Sequence, residues 1–161
     1  MNSSGWARFR PQAETELAQL RHLLAVYAPL LEKCRQAAPD LIECSALATM
    51  LHSFYTGVEN ILKRAAVEID GQPIEGASWH RQLLQRTGVA TANRPAVISV
   101  TLLTRLQDYL GFRHFFRSAY SFDYDWNEMA PLVLDCEPTL QKFGEEIAAF
   151  LAQAPPENAT D

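Results

Sequence analysis

The sequence has no glycine-rich phosphate loop, no His-Glu-x-x-His pair, no Cys-x-x-Cys and no Gly-x-Ser-x-Gly. These absences remove the phosphate-loop, zinc-protease and serine-hydrolase readings. Cysteine is scarce: Cys34, Cys44 and Cys136 are widely spaced and odd in number, which reads as buried free thiols rather than a disulfide framework or a metal site. No apolar run reaches the roughly 18 residues that a membrane span needs. The first residues lack a basic segment followed by an apolar stretch, so no secretory signal is read and a cytoplasmic location is expected. Alternating apolar and polar positions are also missing over any useful length, as is a repeat with a period of roughly 20 to 50 residues.

What is present is helical periodicity. Leu17, Leu20, Leu24, Tyr27, Leu31 and Cys34 recur at three- and four-residue intervals and predict a helix over 15–36, with a kink at Pro29. Asp40 is placed to cap a second helix over 41–69, striped by Leu47, Met50, Leu51, Phe54, Val58, Ile61, Leu62 and Ala65 and stopped by Asp70-Gly71-Gln72-Pro73. A short helix follows over 78–87. Pro95 suits the first turn of the next, which carries Val97, Val100, Leu103, Leu106, Leu110, Phe112 and Phe116 to about residue 119. A last helix over 126–152 is expected to bend at Pro138. Four long helices and one short one pack most simply as an all-α, up-and-down four-helix bundle. The expected organisation is one domain over 1–153 with a flexible C-terminal tail over 154–161.

Charge is uneven. The net charge of −5 is made of −2 over residues 1–77, +5 over 78–117 and −8 over 118–161. The basic block holds six arginines against Asp108 alone. Two readings are open: the basic block is neutralised by acids elsewhere in the fold, or it forms a phosphate-binding surface.

The end of that block is the segment Arg113-His114-Phe115-Phe116-Arg117-Ser118-Ala119-Tyr120. On a helix Arg113 and Arg117 share a face, as do His114 and Ser118, and Tyr120 follows within two turns. A guanidinium can grip a phosphate through two hydrogen bonds, and an imidazole moves protons near neutral pH. The structural alternative pairs Arg113 and Arg117 with acids on the final helix. His80, in Ser78-Trp79-His80-Arg81, is read first as packing around Trp79 and second as a further imidazole for the site. His22 and His52 read as packed residues. Glu59 pairs with Lys63 one turn on, or else turns inward to orient Arg113.

At these residues the chain resembles the HEPN superfamily, and more closely its HepT-like ribonuclease branch. The likeness covers most of residues 41–151. It is carried by the stretch from His52-Ser53-Phe54-Tyr55-Thr56-Gly57-Val58-Glu59 to Ser78-Trp79-His80-Arg81-Gln82-Leu83-Leu84, and by Phe112-Arg113-His114-Phe115-Phe116-Arg117-Ser118-Ala119-Tyr120. The family's motif is Arg, a polar residue, three variable positions, His, one residue and Tyr. By that resemblance Arg113 is the catalytic arginine, His114 the polar position and Tyr120 the tyrosine that an antitoxin adenylylates. Ser118 stands where the histidine belongs.

A serine hydroxyl cannot replace an imidazole as a proton shuttle near pH 7. Either His114, one turn earlier, takes over, or the nuclease is impaired. The resemblance implies a toxin subunit of a bacterial toxin–antitoxin pair: a homodimer that acts on RNA without metal or cofactor and is countered by a nucleotidyltransferase-type antitoxin. Arg113, His114, Ser118 and Tyr120 are then the catalytic candidates, with Arg117, His80 and Arg81 as RNA-binding residues. A non-catalytic module binding nucleotide, RNA or protein is the alternative.

Overall fold

The computed structural model describes residues 3–156. Six α-helices run in order: α1 (Ser3–Gln36), α2 (Leu41–Arg64), α3 (Trp79–Thr87), α4 (Val100–Ser118), α5 (Trp126–Leu134) and α6 (Cys136–Leu151). The long helices α1, α2, α4 and α6 pack in a closed ring, α1 on α2, α2 on α4, α4 on α6 and α6 on α1. This is the expected all-helical bundle, and the described residues contain no strand. No helix among them is long and apolar enough to cross a membrane. Most of the expected tail, from residue 157 on, lies outside the described residues.

The first helix begins twelve residues earlier than its periodicity suggests. Trp6, Phe9 and Ala13 extend the buried stripe of Leu17, Leu20 and Leu24, and Trp6 stacks on Phe150 of α6 with ring centroids 4.5 Å apart. Packing of that stripe outweighs the hydrogen bond lost at Pro11, so the helix runs through it, and through Pro29 as well.

The second helix opens as expected: the Asp40 carboxylate accepts from the Glu43 amide at 2.8 Å, and Glu43 returns the favour to the Asp40 amide. It closes in a π-helical turn (Ala65–Ile69), after which Gly71 takes a left-handed φ of 66°.

Two further boundaries differ from the sequence reading. The fourth helix starts at Val100, not at Pro95, because the Val97 and Ile98 amides are taken by the Thr87 carbonyl and both side chains are buried. Ser99 is the actual cap, accepting from the Leu102 amide. The last helix is two helices broken at Asp135. Pro138 has no amide to donate to Leu134, and its ring crowds that carbonyl, so the break falls one turn ahead of the proline.

Cys34, Cys44 and Cys136 are free and buried, as expected.

Candidate functional site

Glu59 lies on the apolar face of α2, between Tyr55 and Leu62, and is only 4% exposed. A carboxylate so placed must find a partner. It finds His80 at the start of α3, itself 8% exposed, whose Nδ1 donates to Glu59 Oε2 at 2.6 Å. Glu59 therefore turns inward, but its partner is His80 rather than Arg113 or Lys63. Accepting from Nδ1 fixes the imidazole's tautomer and leaves Nε2 as the working nitrogen.

Arg113 of α4 completes the contact. Its Nη1 is 3.4 Å from Nδ1 and 3.3 Å from Nε2 of His80. The two ring nitrogens point in divergent directions within the ring plane, so a donor nearly equidistant from both lies over the ring face. Trp79 stacks on the imidazole at 3.6 Å and so occupies the opposite face. Lys63 Nζ lies 4.6 Å from the Trp79 ring centroid, a cation–π contact. His80 is thus more than the packing around Trp79 that was its first reading.

Two more imidazoles border this group. His114 meets His80 edge to face, centroids 5.8 Å apart. Its pKa is lowered by partial burial first, then by its neighbours His80, Arg113 and Arg117. His52 of α2 stacks on Phe116 at 4.7 Å. Burial, then Arg113 and Arg117, lower its pKa too. The Nδ1 of His52 and the Nε of Arg113 are buried without a hydrogen-bond partner, so donor and acceptor capacity is unspent here.

The arginines of the basic block divide into two sets. Arg94 and Arg86 both bind Asp70, at 2.8 and 3.2 Å, and Arg105 binds Asp135 at 3.3 Å. Arg81, Arg113 and Arg117 have no carboxylate partner among the described residues. The reading in which the basic block is neutralised by acids elsewhere in the fold therefore holds for half of the block, and the pairing of Arg113 and Arg117 with acids on the final helix does not occur among the described residues.

The motif's far end is arranged differently. Ser118 is exposed, and its hydroxyl donates to the Phe115 carbonyl at 3.3 Å, within its own helix. Tyr120, 71% exposed, stacks on Phe122 with ring centroids 5.2 Å apart. Arg81 and Arg117 are exposed. The structure thus gathers Arg113, His114 and His80, adds Glu59 and His52, and leaves Ser118 turned back on the backbone.

A cleft of about 700 Å³ between α1 and α2 is a separate feature, lined by Gln12, Glu16, Asn60, Lys63 and Arg64 among others. It meets the imidazole cluster only through Lys63.

The all-helical bundle is consistent with a HEPN-type helical protein, and a family model bears this out. Residues 46–154 match the model of the family described as HepT-like protein, and the chain belongs to that family. Comparison with curated proteins and with solved structures gives no match.

Proposed function

We propose that this chain is the toxin subunit of a bacterial toxin–antitoxin pair, a metal-independent endoribonuclease acting as a homodimer and held in check by a nucleotidyltransferase-type antitoxin. The observation that carries the proposal is the set of arginines left without a carboxylate, Arg81, Arg113 and Arg117, beside the His80–His114 pair. Fixed cations that no acid neutralises suit an anionic backbone. Arg113 grips the scissile phosphate and offsets the charge that develops on its oxygens, and His114 moves the proton. Arg117, Arg81 and the His80 region hold the flanking RNA. Tyr120, exposed at the end of the motif, is the residue on which the antitoxin acts.

The turn of Ser118 onto the Phe115 carbonyl favours one second reading, a helical module that binds RNA without cutting it. Degradation of RNA by the purified protein separates the two. Wild type is expected to cleave, Arg113→Ala to lose about 10²- to 10³-fold in rate, the usual effect of removing one group that stabilises developing charge, and Ser118→His to cleave faster. Cleavage by Ser118→His alone would mean an impaired nuclease, and cleavage by no form would leave only the binding module.

A further inference from the structure

Position 118 offers no imidazole, yet two imidazoles stand in contact one helical turn away. His80 and His114 are 5.8 Å apart, edge to face. Rings this close resist carrying two positive charges at once. The two rings are not equivalent. Glu59 stands against His80 at 2.6 Å, so positive charge placed there is compensated, and among the described residues no carboxylate is bonded to His114.

The other charged groups around the pair are Lys63 and His52 on α2 and Arg113 and Arg117 on α4. All of these are cationic or neutral, and the positive neighbours together with partial burial hold His114 toward its neutral form.

Resting on the RNA-cleaving reading above, we propose that His80 and His114 are the acid–base pair of this site, with Glu59 as the residue that positions His80. His114 takes the proton from the ribose 2′-hydroxyl as the 2′-oxygen forms its bond to phosphorus. The P–O5′ bond breaks, its electron pair goes to the 5′-oxygen, and that oxygen takes the proton from Nε2 of His80. The products are a 2′,3′-cyclic phosphate and a 5′-hydroxyl. His114 ends protonated and His80 neutral, and exchange with water restores the starting pair. Arg113, lying over the His80 ring, is placed to hold the non-bridging oxygens of the same phosphate.

The test is a pH–rate profile of the full-length protein on an RNA oligonucleotide and on the same oligonucleotide with sulfur in place of the bridging 5′-oxygen, a leaving group that needs no proton. On the oxygen substrate, His80→Gln and His114→Ala should each lose about 10²- to 10⁴-fold, the usual range for a general acid or base. His80→Gln should lose the alkaline limb of the profile, because the acid must be protonated. His114→Ala should lose the acidic limb, because the base must be neutral. The sulfur substrate should rescue His80→Gln and not His114→Ala. Glu59→Gln should lower kcat with KM held, displace the alkaline limb and be rescued in the same way.

Wild-type cleavage with His80→Gln equally active, or inactive on both substrates, overturns the pair and leaves the nuclease reading standing. No cleavage by the wild type on either substrate overturns both.

Discussion

Arg94 and Arg113 lie nineteen positions apart in one basic block, and what separates them is how their donors are spent. The Arg94 side chain is fully buried against Asp70, which it grips through Nε at 2.8 Å and Nη2 at 3.0 Å. Its remaining donors go to the carbonyls of Val89, Pro95 and Arg86. Such a group is a structural tie, and removing it leaves the buried Asp70 carboxylate with Arg86 alone and takes the donor from three backbone carbonyls. Arg94→Ala is expected to cost about 3–5 kcal/mol in urea unfolding, the usual result of breaking a buried pair, while Arg113→Ala, whose Nε is unspent, leaves the midpoint close to wild type. Equal losses would show that Arg113 is a structural residue as well.

At the scale of the element, helix ends decide where the site's side chains point. The start of α4 sets the phase of every residue on it, Arg113 and His114 included, and that start is built from two distant parts of the chain. The Ser99 hydroxyl accepts from the Leu102 amide at 3.1 Å and donates to Glu146 Oε1 of α6 at 2.7 Å, while the Ser99 amide donates to Glu146 Oε2 at 2.7 Å. Ser99→Ala should cost about 1 kcal/mol, typical for loss of a serine cap. Glu146→Ala should cost a comparable amount, and the double variant less than the sum, because both act on one cap. Additive losses in urea unfolding would mean that the two residues act separately.

For the whole molecule, net charge and local field disagree. The chain carries −5 overall, yet Arg81, Arg113 and Arg117, which have no carboxylate partner among the described residues, belong to the segments that carry His80 and His114, so an anionic polymer would meet positive potential there. On a 2′-O-methyl oligonucleotide, which binds but cannot be cut, affinity should fall with salt. Arg81→Ala and Arg117→Ala should each flatten the log–log slope by about 0.7, the value per neutralised phosphate on a single strand. Arg105→Ala, whose guanidinium is spent on Asp135, should leave the slope unchanged. Equal effects from all three would mean that the ion pairs do not select which arginines bind.

The amino-acid sequence alone determined the helices, because a helix stripe is a local matter of three- and four-residue spacing, and Asp40 announced the start of α2 by its own chemistry. It also placed Arg113, His114, Ser118 and Tyr120 on one short segment. Glu59 was legible as an acid on an apolar stripe, a sign that it must be paired, but its partner was not. Glu59 and His80 are 21 positions apart, and His80 and Arg113 are 33. Their meeting depends on how α2, α3 and α4 pack against one another, which no local period encodes. The same holds for the basic block: the count of six arginines was visible, but only packing decided that Arg86, Arg94 and Arg105 face carboxylates and Arg81, Arg113 and Arg117 do not. Spacing along a chain fixes which side chains share a helix face, and only tertiary contact fixes what that face meets.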